Sequence, residues 1–178
     1  MCEYFENCLS FTELFRSKVN RINIVPRFHN ARFEWLHEKI WLQKIPNLKI
    51  KYSNQESIKE VYNNYDLLIY SYLATGILES LLVNKPCLLV YSLNNYPLRS
   101  EEVCKDFDKL KEAKIFFESN FEALEHLNYL KREDNFYKWW NSNDLQNIRD
   151  DFCQKYALKL NKFERINKLN NILKKETI

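Results

Sequence analysis

Residues 66–91 read Asp66-Leu67-Leu68-Ile69-Tyr70-Ser71-Tyr72-Leu73-Ala74-Thr75-Gly76-Ile77-Leu78-Glu79-Ser80-Leu81-Leu82-Val83-Asn84-Lys85-Pro86-Cys87-Leu88-Leu89-Val90-Tyr91. The two ends, 66–72 and 86–91, are nearly continuous apolar runs, as expected of central strands covered by helices on both faces. Between them Ile77, Leu78, Leu81 and Leu82 recur at helical spacing. Thr75 can cap that helix, and Pro86 stops it after Asn84-Lys85. The stretch is a strand–helix–strand unit, and such units build a parallel sheet.

Working outward, short apolar runs at 22–25, 48–52 and 115–117 join 67–72 and 87–91 as strands. Helical spacing fills the gaps: Phe33, Leu36, His37 and Ile40; Ile58, Val61 and Tyr62; Val103, Phe107 and Leu110. Asn54 or Ser57 can cap the second of these helices. Ser100, followed by Glu101 and Glu102, can open the third with acids at its positive end. Asn120 can cap a further helix over 121–130. From Leu145 the stripe Ile148, Phe152, Tyr156, Leu160, Phe163, Ile166, Leu169, Leu173 steps by three or four, a long amphipathic helix. Its heptads are imperfect, so packing back onto its own chain is favoured over a coiled coil. Phe136, Tyr137, Trp139 and Trp140 form an aromatic cluster of the kind that packs one helix on another.

The expected fold class is therefore α/β: a Rossmann-like domain of about five parallel strands flanked by helices, with a long carboxyl-terminal helix. A helix over 4–15 precedes the first strand, whereas a doubly wound domain normally opens with a strand. Residues 1–20 thus read as the remnant of an upstream domain or crossover, 21–131 as the Rossmann-like domain and 132–178 as a helical appendage.

Composition narrows the function. With 178 residues, the chain has room for one domain with or without an appendage, and it can bury a core without staples. Gly76 is the single glycine, so neither G-x-G-x-x-G nor a P-loop can be written. Net charge is +3, from 27 basic and 24 acidic residues, and the only basic cluster is Lys174-Lys175. That balance argues against a nucleic-acid partner. Five cysteines without a C-x-x-C argue for reduced thiols in a cytoplasmic compartment. The amino terminus lacks the basic and apolar regions of a signal peptide, and no apolar run is long enough for a transmembrane segment.

In an open parallel sheet, ligands bind outside the carboxyl ends of the strands. That rule selects the loops 26–30, 53–55, 71–76 and 92–100. Thr75-Gly76 opens a helix directly after a buried strand, where backbone N–H groups and the dipole favour an anion. Gly76 would let a phosphate approach without a Cβ in the way. Glu79 shares a helix face with Thr75 and can accept from ribose hydroxyls; the competing reading is a surface acid. Arg27 and His29 end the first strand, with a phosphate clamp and an acid–base group as their functional readings and a solvated pair as the other. Arg99 is a second candidate clamp. His37 and His126 sit in helical patterns and read as structural. Asp106-Phe107-Asp108 spells D-x-D, but residues two apart on a helix do not face each other, which argues against a metal. Cys87, in a buried strand, reads as a small hydrophobe.

Several of these stretches together resemble the carboxyl-terminal half of GT-B glycosyltransferases. There a strand ends in a Ser/Thr turn, a helix carries a Glu, and N-x-P begins the next strand, as in 66–87 here. The nearest match is a bacterial family of surface-carbohydrate biosynthesis transferases. Arg27 with His29, Pro97-Leu98-Arg99 leading into Asp106-Phe107-Asp108-Lys109-Leu110, and Ile115-Phe116-Phe117-Glu118-Ser119 look like that family, as do Trp139-Trp140 with Arg149 and Phe152. The likeness runs from about 21 to 158. It departs in having Ala74-Thr75 where Ser-Thr is usual, and in loops almost free of glycine.

The resemblance implies a domain that holds a nucleotide-sugar or related nucleotide-activated donor through Arg27, His29, Thr75, Gly76, Glu79 and Arg99. It implies no metal or other cofactor. It also implies a separate amino-terminal acceptor domain, since a whole GT-B enzyme needs two domains and this chain has room for one. The chain is then expected to be a fragment or split-gene product, cytoplasmic or at the inner face of the membrane. Two alternatives stay open: half of a teichoic-acid-type glycerophosphotransferase, and a non-catalytic Rossmann-like binding or interaction module.

Overall fold

The computed structural model describes residues 3–19, 22–29, 36–92, 100–132 and 135–157. In chain order the elements are α1 (Glu3–Lys18), β1 (Arg27–Phe28), α2 (His37–Lys44), β2 (Lys51–Tyr52), α3 (Ile58–Asn64), β3 (Leu68–Tyr70) and α4 (Thr75–Leu82). There follow β4 (Cys87–Val90), α5 (Glu101–Glu112), β5 (Phe116–Phe117), α6 (Asn120–Leu130), α7 (Asn135–Trp140) and α8 (Asn143–Tyr156). The α/β alternation expected from periodicity is present, and every strand pair is parallel.

The sheet itself differs from the expected single layer. β1 pairs with β2 in one small sheet, and β3, β4 and β5 form another in that order. Both strands of the first sheet are two residues long, and Pro26, just before β1, has no N–H to give to a ladder on its other side. Phe28 turns instead to a small core of its own, edge-on to Trp41 at 5.2 Å and to Tyr52 at 6.1 Å.

Strand β4 is buried throughout, and its side chains alternate between two cores. Cys87 and Leu89 face a cluster with Ile77 and Leu81 of α4, Phe107 and Leu110 of α5, and Leu145 and Phe152 of α8. Leu88 and Val90 face the other side, with Phe11 and Phe15 of α1 and Leu124 and Leu127 of α6. The result is three layers, helix on sheet on helix. Burial of each such Leu or Phe contributes roughly 1.5–3 kcal/mol, so α1 and α8 are built into the core rather than laid on it. A third cluster, Leu9, Trp41, Ile45 and Leu48, seats α2 against the first half of α1.

Local signals act where their chemistry allows. Ser57 caps α3 in a full capping box with Glu60. Thr75 is not the cap of α4: Ala74 occupies that position, extended and without a side-chain bond, and Thr75 is the first helical residue. Ser119 stands before α6, with Asn120 as its first residue. Of the tail stripe, Leu145 to Tyr156 lie on α8. Leu160, Phe163, Ile166, Leu169 and Leu173 lie outside the described residues, as does Arg99 with the loop 93–99.

Candidate functional site

Because the strands are parallel, α3, α4 and α6 all begin at the carboxyl edges of their sheets. The first turn of α1 touches both edges. The Tyr4 hydroxyl lies 2.7 Å from Ser71 Oγ, just past β3, and the Tyr4 ring meets Tyr72 edge-on at 6.1 Å. One residue on, Phe5 stacks on His37 at 4.9 Å, and His37 in turn meets Phe28 of β1 edge-on at 6.4 Å. The ends of β1 and β3 therefore lie to either side of the start of α1.

Arg27 is the first residue of β1, and its Nη2 donates to the carbonyls of Ser53 at 2.9 Å and Glu56 at 3.0 Å, beyond the end of β2. The guanidinium thus ties β1 to the loop after β2. In that loop Glu56 accepts from Lys51 at 2.5 Å and from Tyr65, bonds that hold its carboxyl below the usual range. His29 is exposed one residue beyond β1.

At the end of β3, α4 presents a first turn with no side-chain cap. Two of its N–H groups, those of Thr75 and Gly76, point out of the helix by construction. Thr75 and Glu79 are exposed, whereas Ile77 and Leu81 are buried. Gly76 faces Tyr70: a Cβ there would lie 2.9 Å from Tyr70 Cε1 and 3.4 Å from its hydroxyl. That hydroxyl is held 2.7 Å from Oγ of Ser80, which is fully buried. Burial pushes the Tyr70 phenol up to about 12. The glycine lets α4 close onto the strand before it, a packing role that glycines play beside strand ends.

The remaining candidates are placed elsewhere. Asp106 accepts from Lys155 at 2.5 Å and Tyr156 at 2.6 Å, bonds that lower its pKa, while Asp108 faces Lys111 at 3.6 Å. The two D-x-D carboxylates thus turn to different partners. No group of three His, Cys, Asp or Glu side chains among the described residues could hold a metal ion. A groove of about 410 Å³ lies between α5 and α8, lined by Asp106, Phe152 and Lys155. His126 lies among Phe117, Tyr129 and Trp139, and burial depresses its pKa to about 4. Burial raises the Cys87 thiol far above its ordinary value.

Two arrangements escaped the sequence reading. One is the Tyr4–Ser71–Tyr72 contact, which joins residues far apart in the chain. The other is a polar lock at the far end of α4. Asn84, at φ 55°, accepts from Trp140 Nε1 at 3.0 Å and Gln146 Nε2 at 3.3 Å. Arg149 donates to the Leu81 carbonyl at 2.7 Å and to Gln146 at 3.0 Å, and pairs with Asp150. An Asn just past a helix end is itself a signal for a left-handed cap, and could have been read as one.

Taken together, these features define an α/β domain whose open side is the carboxyl edge of parallel strands. A family model described as LIC12162 family transferase matches residues 1–170, and the chain belongs to that family of transferases. No curated protein and no solved structure matches the chain. No helix among the described residues is long and apolar enough to cross a membrane.

Proposed function

We propose that this chain is the donor-binding domain of a transferase that moves a sugar, or a sugar-like phosphate group, from a nucleotide-activated donor in surface-carbohydrate biosynthesis. In this reading it is one half of a GT-B architecture, and a separate domain supplies the acceptor. The observation that carries the reading is the uncapped first turn of α4, standing directly after β3, with Arg27 in β1 reaching the loop after β2. Ile24, just before β1, packs into the same core as Leu67 and Ile69 beside β3. That packing supports β1 lying near β3 without pairing to it, so that the two sheets stay separate and the gap between them falls between the Arg27 loop and the Thr75 loop.

Each residue then has a task. The Thr75 and Gly76 N–H groups, the helix dipole and the Thr75 hydroxyl receive the donor diphosphate. Arg27 spends both Nη2 hydrogens on carbonyls, so its Nε and Nη1 donors are the ones a phosphate meets. Glu79, one turn into α4, accepts from the ribose hydroxyls. As the bond to the leaving diphosphate breaks, negative charge grows where these fixed donors already point, and they stabilise it without reorganisation. His29 and Arg99 complete the proposed set, and the setting is the cytoplasm or the inner face of the membrane.

Titration calorimetry on the full chain tests this, using nucleoside diphosphates and inorganic pyrophosphate, with and without a chelator. Binding that survives chelation supports the reading. Absence of any diphosphate binding, or its loss on chelation, refutes it.

A further inference from the structure

We infer that Tyr4 and Tyr72 form a stacking platform for the planar base of the nucleotide donor, an inference that rests on the donor-site reading above. Tyr72 is 53% exposed and Tyr4 42% exposed although the two rings are in contact with one another. They meet at 84°, a T-shaped geometry that leaves at least one face of each ring clear of its neighbour. The pair is held in place. The Tyr4 hydroxyl is anchored on Ser71 Oγ at 2.7 Å, and the Tyr4 backbone is fixed in the first turn of α1. Burial is the main cause that raises the Tyr4 phenol well above its ordinary value, so at neutral pH it stays protonated and can remain in that bond. Leu73, also partly exposed, adds an apolar side chain next to the ring.

Position decides what such a platform would carry. Tyr72 is three residues before Thr75, so its backbone is at most about 10 Å from the start of α4 at roughly 3.3–3.6 Å per residue. A diphosphate seated on α4 therefore brings the rest of a nucleotide within reach of the ring. Aromatic faces accept any base, because every base has a π-face, so the platform supplies affinity while leaving base identity to other contacts.

The test compares the best-bound of uridine, cytidine, guanosine and adenosine diphosphates with inorganic pyrophosphate, by calorimetry on the full chain. Tyr72→Ala and Tyr72→Phe are measured beside the parent, each with a thermal melt. The expected result is that Tyr72→Ala weakens nucleoside diphosphate binding about tenfold, leaves pyrophosphate binding unchanged, and melts as the parent does. Tyr72→Phe keeps the ring and should bind as the parent. If Tyr72→Ala leaves the nucleotide affinity unchanged, or lowers both ligands equally, the platform is refuted while the donor site stands. If the parent binds pyrophosphate and nucleotides alike, the platform is refuted in the same way. If the parent binds neither, the donor-site reading fails first and the platform with it.

Discussion

Gly76→Ala is the change whose outcome is most tightly determined by the geometry. The glycine has an ordinary negative φ, so alanine meets no backbone strain. In a helix interior, alanine is more stable than glycine by about 0.8–1.0 kcal/mol, and on propensity alone the substitution would stabilise. Against that, the new Cβ would lie 2.9 Å from Tyr70 Cε1 and 3.5 Å from Cζ. The ring must move by about half an ångström to restore ordinary contact. It cannot swing freely, because its hydroxyl is bonded to the fully buried Ser80. Overpacking costs about 1–3 kcal/mol, and straining that bond adds about 0.5–1.5 kcal/mol. The net expectation is a loss of about 1–2 kcal/mol, or a melting temperature lower by about 2–8 °C in a chain of this size. In a Tyr70→Leu background the ring is gone, and the same Gly76→Ala change should be neutral or stabilising. The double-mutant cycle should therefore give a coupling of about 2 kcal/mol. A stabilising Gly76→Ala in the parent, or a coupling within about 0.5 kcal/mol of zero, would refute the packing account. Pyrophosphate affinity measured on the double variant then isolates any role of Gly76 in phosphate approach, because the packing conflict has been removed.

Three further changes probe other parts of the molecule. Glu79→Gln should leave the melting temperature unchanged, since Glu79 is exposed, and should weaken nucleoside diphosphate binding about tenfold, the scale of a charge-assisted hydrogen bond; unchanged affinity in calorimetry would remove it from the ribose site. Arg149→Ala removes the guanidinium from the Leu81 carbonyl, which keeps the Asn84 N–H at 3.1 Å, and should cost about 1.5–3 kcal/mol in denaturant unfolding; because the lock helps to aim α4, pyrophosphate affinity per folded molecule should fall as well, and an unchanged affinity would confine Arg149 to stability. His126 adds acid sensitivity above the range of the carboxylates: burial lowers its folded pKa to about 4 from the ordinary 6.5, so the unfolded chain takes up a proton before the native state does. Stability from this group is full above about pH 6.5 and falls as the pH drops towards 4. His126→Phe should flatten the melting temperature between pH 6.5 and 5, and an unchanged slope there would assign the effect to other groups.

What could be read from the sequence follows from the range of the forces involved. The β3–α4–β4 unit was legible because its signals are local: apolar runs, a 3.6-residue stripe, and a proline that ends the helix. The joining of strands into sheets was not, because it rests on contacts between residues far apart in the chain, such as Phe28 edge-on to Trp41. Its residue type alone marks out Gly76, yet its structural reason is a ring six positions earlier whose hydroxyl is bonded to Ser80. Thr75 was read one position too early in its helix, since nothing in Ala74-Thr75 distinguishes a cap from a first residue. The Tyr4 and Asn84 contacts span 67 and 56 residues, and no periodicity reports on a pair so far apart.

The stretches that carry the family likeness divide between the two ends of α4, and the division bears on how the site is held. Asn84, Trp140 and Arg149 gather where α4 ends, far from its first turn. The guanidinium of Arg149 is occupied by a carbonyl, an amide and a carboxylate, which suits a brace and leaves little for a phosphate. From there α8 runs back along α5, through Phe152 on Phe107 and Tyr156 on Asp106. One helix thus fixes the trailing end of α4 and the flank of α5. A helix N-terminus serves as an anion site only if its N–H groups keep their aim, and the first turn of α4 lacks a side-chain cap to fix them. Its aim must come from elsewhere: from Tyr70 and Gly76 at the strand, and from the Arg149 lock at the other end. On the proposed donor-site reading, residues with no reach to a ligand therefore belong to the same functional unit as Thr75, through the orientation of α4.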